Sequence, residues 1–283
     1  MERRAPTCMG VRGRGKVGGV NSAHPGPIAQ LVERMAGSHE VRGSSPLGST
    51  IMARRRRTNT RSARDQGRTE GLSSAERASA NERQRRQYAK EAPKYDEESK
   101  SIERWFFGSE HRGWACSRAH GDTLEVAIGT GLNLATYPPD VRLTGIDITP
   151  EMLALARIRA ADLDMPVTLC EGDAQALPFP DGTFDTVIST YSMCSVPDEG
   201  RTVHEMRRVL NPGGRLILVD HVRSSVAPIY WIQRLMELAP SRGERELTRR
   251  PIMHVLAEGF LIEESDRSRA GMIERLVARK PLR

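Results

Sequence analysis

The sequence predicts an α/β fold built on a mostly parallel, doubly wound sheet of seven strands, closed by an antiparallel strand near the C-terminus. Three observations predict it. Short apolar runs recur from Leu124 to Ala278 without polar alternation, as strands buried on both faces require. Segments with helical spacing separate them. The first run ends in Gly129-Thr130-Gly131, a turn of bare backbone, and the second ends in Asp147, a carboxylate that can accept hydrogen bonds from two vicinal hydroxyls.

Charge divides the 283-residue chain. Residues 1–90 carry 19 Lys/Arg against 7 Asp/Glu, and residues 91–283 carry 24 against 29. The formal net charge of +7 therefore comes from the N-terminal third, and it is no sign of a nucleic-acid-binding fold. No specific nucleic-acid partner is expected. Cys8, Cys116, Cys170 and Cys194 show neither C-x-x-C nor Cys/His spacing, so no metal site and no disulfide framework are expected. A reducing cytoplasmic setting fits that cysteine usage. No apolar run approaches the roughly 18–20 residues that cross a bilayer.

Residues 1–51 are rich in Gly, Arg, Ser and Pro and have no helical or strand period. Ile28 to Arg34 can be encoded by ATA-GCT-CAG-TTG-GTA-GAG-CGC, similar to the D-arm of a tRNA gene. Gly43 to Pro46 can be encoded by GGT-TCG-AGT-CCC, similar to a T-arm. The stretch is expected to be a misassigned or disordered extension, with the true start at Met52. A secretory signal is disfavoured because no apolar h-region is present. Residues 52–87, opening ARRRRTNTRSAR after Met52, are expected to form a disordered basic tail. The folded domain is expected to span 88–283.

From Tyr88 the text changes. Tyr95, Ile102, Trp105 and Phe106 fall at helical spacing and predict amphipathic helix before the first strand. Trp105 and Trp114 are expected to pack. Strand one covers Leu124–Ile128 and strand two Val141–Ile148. Thr149-Pro150-Glu151 then opens a helix, with Thr as N-cap, Pro at the first position and Glu in the first turn. Strand three, Val167–Leu169, leads into Glu171-Gly172-Asp173-Ala174. Asp181-Gly182 turns into strand four, Phe184–Thr190, followed by Tyr191 to Cys194. Ligands of open α/β sheets bind beyond the carboxyl ends of the strands that flank the reversal of strand order, here strands one and four. Tyr191 to Cys194 are therefore expected to line a reaction chamber, with Cys194 as a lining residue rather than a nucleophile. A helix over 200–210 and the turn Asn211-Pro212-Gly213-Gly214 precede strand five, Leu216–Asp220, with His221 at its carboxyl end. The helix over 226–239 places Ile229, Ile232, Leu235, Met236 and Ala239 on one face, with Tyr230 and Trp231 beside it. Core packing and a greasy lid over a lipid substrate both fit that stripe. Two strands, Phe260–Ser265 and Met272–Ala278, close the chain.

The dinucleotide fingerprint G-x-G-x-x-G is incomplete, because Leu132, Asn133 and Leu134 follow Gly131. The series Glu125/Gly129/Gly131, Asp147, Asp173, strand four and Pro212-Gly213-Gly214 instead resembles the class I S-adenosylmethionine-dependent methyltransferases. In texture it is closest to the methyltransferase-11-like group that includes bacterial phosphatidylethanolamine N-methyltransferases and ubiquinone/menaquinone methyltransferases. The resemblance implies a Rossmann-like sandwich over about 88 to the end, with S-adenosylmethionine as cofactor. It implies that Glu125 and the backbone of Gly129, Thr130 and Gly131 hold the methionine end. Asp147, with Ile148 beside it, would take the ribose, and Asp173 with Ala174 the adenine. Ala127 stands where the family has its first glycine, so slight crowding is expected there. A helix carrying Tyr95-Asp96 is expected over the cofactor, and Tyr95, Tyr191 and His221 are the candidates for assisting proton transfer. The acceptor is expected to be a small molecule or lipid: the amine of phosphatidylethanolamine, or else a carbon or oxygen of a quinone or other hydrophobic metabolite. Contact with a membrane surface would follow from a lipid acceptor. A nicotinamide-dependent oxidoreductase and an RNA-associated protein using the basic tail are the remaining readings.

Overall fold

The computed structural model describes residues 8–11, 72–238 and 246–283. Eight strands among these form one sheet: β1 (Cys8–Val11), β2 (Asp122–Val126), β3 (Arg142–Asp147), β4 (Val167–Glu171), β5 (Phe184–Thr190), β6 (Leu210–His221), β7 (Leu261–Ser268) and β8 (Ile273–Arg279), in the spatial order β1-β4-β3-β2-β5-β6-β8-β7. The pairs β4-β3, β3-β2, β2-β5 and β5-β6 are parallel. β8 runs antiparallel to both β6 and β7. The expected seven strands are all present, and the antiparallel β8 sits between β6 and β7. The order reverses at β2, so the ligand crevice lies above the carboxyl ends of β2 and β5.

The strands bury both faces, as their continuous apolar runs require. Leu216 and Leu218 of β6 face one cluster with Leu124, Val126 and Val187, packed against Val203, Met206 and Val209 of α4 (Glu199–Val209) and Val255 of α6 (Pro251–Ala257). Ile217 and Val219 face the other cluster with Leu143, Leu169 and Ile188. Ala115 of α2 (Glu110–Cys116) and Leu153, Ala156 and Ala160 of α3 (Pro150–Asp162) cover that side. α5 (Ala227–Glu237) follows the carboxyl end of β6.

Five expectations are corrected. The tail expected over 52–87 is helical from Ser74, because α1 (Ser74–Ile102) starts at a capping box. The Ser73 hydroxyl accepts from the Glu76 amide and the Glu76 carboxylate accepts from the Ser73 amide, after which Ala, Arg, Glu and Gln sustain the helix. The cysteines are not all free: Cys8 is disulfide-bonded to Cys170 across the β1-β4 antiparallel pair. They stand 162 residues apart in sequence, so only the sheet brings them together. Cys8–Val11 is also ordered as a strand within the stretch expected to lack structure, the remainder of which lies outside the described residues. Thr149 does occupy the N-cap of α3, but its side chain caps nothing. Finally, the Asn211 to Gly214 turn is absorbed into β6 as a bulge, where the β5 register jumps from Phe184↔Leu210 to Thr186↔Arg215.

Candidate functional site

Two adjoining clefts open at the carboxyl edge of the sheet. The first, about 690 Å³, is lined by Ala127 and Gly129 after β2, by Asp147, Ile148 and Thr149 after β3, by Asp173 and Ala174 after β4, and by Tyr191 and Ser192 after β5. The second, about 600 Å³, is lined by Glu91, Glu98, Glu103, Phe107, Arg112, Cys194 and His221. Tyr88, Tyr95, Tyr191 and Ser195 line both and form the shared wall.

The Gly129–Gly131 loop is shaped for close approach. Gly129 has φ +57°, and a Cβ built on it meets nothing within 4 Å, so a ligand can lie directly against its backbone. Gly131 has φ +76° for a different reason: its Cβ would lie 2.7 Å from Leu134 Cδ1 and 3.4 Å from Ala156 Cα. It is a packing glycine and, with Thr130, stays out of the cleft wall. Ala127 holds φ 56°, a left-handed conformation that costs an L-residue roughly 1–2 kcal/mol. The crowding expected there takes the form of backbone strain.

Asp147 is buried at the floor of the first cleft. Gly129 N donates to its Oδ2 at 2.9 Å and Thr149 N to its Oδ1 at 2.8 Å. Burial raises its pKa, and those two amides offset part of the rise. One lone pair remains on each oxygen, the capacity needed for two vicinal hydroxyls. Asp173 Oδ1 accepts from Gln175 N at 2.8 Å and Gln175 Nε2 at 3.1 Å, and Oδ2 accepts from Asn81 Nδ2 at 2.7 Å. Room for an exocyclic amino group is left on Oδ2.

Glu125 does not reach the cleft. Its carboxylate accepts from Asn133 Nδ2 at 2.9 Å and from Tyr137 Oη at 2.8 Å. Burial pushes its pKa up to about 7 against the pull of Tyr137, Arg112 and Asn133. Its part is to position the loop from behind. Asp96 likewise accepts from Thr130 Oγ1 at 2.6 Å and pairs with Arg159, tying α1 to the glycine loop. Tyr95 stands in the shared wall of the two clefts.

Tyr191 is held at φ 54° with its ring stacked on Phe107 at 5.9 Å and the Arg112 guanidinium 5.2 Å from the ring centroid. Its hydroxyl is buried and has no hydrogen-bond partner among the described residues. His221 donates from Nδ1 to Asp220 Oδ1 at 2.8 Å. Burial disfavours the imidazolium, but Cys194 and Asp220 outweigh it and raise the pKa well above the usual histidine value. Cys194, Asp220 and His221 place one ligating atom each within 4.8 Å of one another. Asp220 spends its oxygens elsewhere, however: Oδ2 on the amides of Ser192 and Met193 at 3.0 and 2.6 Å, and Oδ1 on His221 N and Nδ1. The trio is a hydrogen-bonded support for the imidazole.

Sequence reasoning missed α1's first half and Arg112. Asn81, Gln84 and Tyr88 line the first cleft, with Gln84 Nε2 donating to Ser195 O at 2.6 Å and Tyr88 Oη 2.7 Å from Ser195 Oγ. The S-x-x-E box at Ser73 was the available signal. Arg112 binds Glu103 through Nε at 2.8 and 3.1 Å, Asn133 Oδ1 at 2.9 Å and Thr190 Oγ1 at 3.0 Å. No sequence motif marks it.

Residues 124–218 match the family described as "Methyltransferase domain". A phosphatidylethanolamine N-methyltransferase of Cereibacter sphaeroides is 41% identical over 118 residues, which cover 41% of this chain and 58% of that protein. A demethylmenaquinone methyltransferase of Deinococcus radiodurans is 37% identical over 143 residues, 47% of this chain and 58% of that one. The chain thus spans somewhat over half the length of these relatives. Among solved structures, an S-adenosylmethionine-dependent methyltransferase of Thermotoga maritima superposes with a TM-score of 0.52 at 21% identity, over 68% of this chain and 98% of its own. A Bacillus halodurans protein does so with 0.53 at 20% identity, over 62% and 100%. At those identities the likeness is one of fold, and the fold is the Rossmann-like one expected.

Proposed function

We propose that this chain, whose residues 124–218 carry a methyltransferase domain, moves the methyl group of S-adenosylmethionine to an amine, and that the amine is the headgroup of an ethanolamine phospholipid. One observation carries the choice of acceptor. The second cleft combines aromatic walls, Tyr88, Tyr95, Phe107 and Tyr191, with the carboxylates of Glu91 and Glu98, while its third carboxylate, Glu103, is paired with Arg112. Rings and carboxylates together favour a cationic or methylated nitrogen. The relative from C. sphaeroides acts, by its name, on such an amine.

The residues of the first cleft fit the cofactor. Asp147 offers one free lone pair per oxygen to the ribose hydroxyls, Asp173 offers one to the adenine amino group, and Gly129 leaves its α-carbon bare. Bound there, the cofactor supplies a sulfonium-activated methyl group. The chain's own work is to hold the acceptor in line with it and to exclude water. Tyr191 and Tyr95, in the shared wall, face both partners. His221, oriented by Asp220, accepts the proton that the amine must lose. Its raised pKa means that it becomes a free base only toward alkaline pH, so the rate is expected to rise with pH.

Calorimetric titration with S-adenosylhomocysteine tests the cofactor, and turnover with phosphatidylethanolamine beside demethylmenaquinone tests the acceptor. Asp147→Ala is expected to weaken binding about 100-fold, the loss of two hydrogen bonds to a charged acceptor. Absence of binding by the folded wild-type chain would remove the methyltransferase reading. Turnover of the quinone alone would replace the amine by the second reading, methylation of a ring carbon or oxygen, which the identity to the D. radiodurans enzyme supports.

A further inference from the structure

The helix α5 is amphipathic the wrong way round. Its anchoring side is polar. Gln233 is buried, accepts from Ser224 N at 2.8 Å and donates to Val222 O at 3.0 Å. One turn on, Glu237 accepts from the amide and hydroxyl of Thr248 at 2.8 and 2.9 Å. Its outer side is apolar: Trp231, Leu235 and Leu238, spaced i, i+4, i+7, are 67%, 69% and 77% exposed, with Ile232 beside them at 56%. A helix on a water-soluble surface places these classes the opposite way, and a contiguous exposed apolar stripe marks a docking face.

The charge around the stripe selects the occupant. The described residues among 223–250 include four Arg (223, 234, 249 and 250) against two Glu (237 and 246), a local net +2 within a region, 91–283, that is net −5. Arg223 and Arg250 are exposed, and the Arg223 guanidinium lies 4.3 Å from the Tyr230 ring centroid. Aromatic side chains at the polar–apolar boundary, apolar residues beyond them and arginines around them complement the headgroup layer of an anionic bilayer. We infer that α5 seats this protein on an anionic membrane surface by inserting Trp231, Ile232, Leu235 and Leu238 among the lipids, with the neighbouring arginines on the phosphates. α5 follows β6 at the end where His221 lines the second cleft. Docking there brings lipid headgroups to the acceptor cleft, a consequence that rests on the proposed acceptor, while the docking itself does not.

Flotation of the full chain with phosphatidylcholine vesicles, with and without phosphatidylglycerol, tests this in the absence of cofactor and acceptor. The wild type is expected to float with the anionic vesicles and to stay with them at about 0.5 M salt, where attraction through the basic tail is screened. Trp231→Ser/Leu235→Ser is expected to lose at least about tenfold in partitioning at that salt, with melting temperature and S-adenosylhomocysteine affinity unchanged. Arg223→Glu/Arg250→Glu is expected to lose the preference for anionic over zwitterionic vesicles. Equal flotation of the double-serine variant, or no flotation of the wild type, overturns the inference. So does a wild-type dimer in sedimentation that the double-serine variant breaks, since a second copy of the chain then covers the stripe. Loss of cofactor binding in every protein would defeat the methyltransferase reading and leave the flotation result standing.

Discussion

Glu125 shows how a single side chain serves a site it does not touch. Its carboxylate is fixed by Asn133 and Tyr137, and Asn133 in turn accepts from Arg112 and donates to Thr190 Oγ1 at 3.0 Å. The network runs from behind the glycine loop to the last residue of β5. Burial moves the Glu125 pKa from 4.5 to about 7. The unfolded chain releases this proton near 4.5 and the folded chain near 7, so between these values the folded state holds more protons. Stability contributed by this group therefore falls as pH rises through that window, by about 3 kcal/mol in total. Glu125→Gln is expected to remove that slope, read from urea unfolding at about pH 5 and about pH 8. An unchanged slope would mean that Glu125 is already ionised at the lower pH. Ala127 belongs to the same scale: a methyl group is accommodated at φ 56° because the chain turns there whatever the residue.

At the scale of elements, α1 is the one that completes the first cleft. It buries little apolar surface, with only Ala80 and Ala92 fully inside, and polar contacts hold it across the sheet edge. Asn81 reaches Asp173, Gln84 and Tyr88 reach Ser195, Arg85 pairs with Glu171 at 3.3 Å, and Asp96 holds Thr130 and Arg159. An element held this way has the low local stability typical of active-site covers. Asn81→Ala is expected to weaken S-adenosylhomocysteine binding by at least about tenfold, the lower end of the worth of a hydrogen bond to a charged group, and to change the melting temperature little. Comparable affinity in the variant would show that α1 packs over the cleft without contributing to binding. The helix was legible from Tyr88 onward, where aromatic residues give it a period. Its first four turns or so carry almost none, and the capping box alone announces them.

For the whole molecule, the sheet order decides which distant segments meet. β1 pairs with β4 and brings Cys8 to Cys170, a link no spacing rule could anticipate. The residues of the first cleft begin at Asn81. Removal of residues 1–51, which takes Cys8 with it, is therefore expected to leave S-adenosylhomocysteine affinity within about twofold, since loss of an edge strand spares the crevice above β2 and β5. Calorimetry on the shortened chain checks this. A large loss would mean that the β1-β4 pair holds Asp173, three residues beyond Cys170, in place. No helix among the described residues is long and apolar enough to cross a membrane.

The sequence by itself determined the strands, their buried faces, the glycine turn and the carboxylates Asp147 and Asp173. These depend on local alternation, on backbone that only small residues permit, and on positions counted from the end of a strand. Tertiary structure alone decided that Glu125 and Thr130 stand behind the cleft, that Arg112 and Asn81 help to build it, that Asp220 orients His221, and that α5 turns its apolar side outward. Each of these is a relation between residues tens of positions apart, or between a helix and whatever it packs on. A hydrophobic stripe has the same period whether it faces the core or the solvent, and only the packed chain shows which.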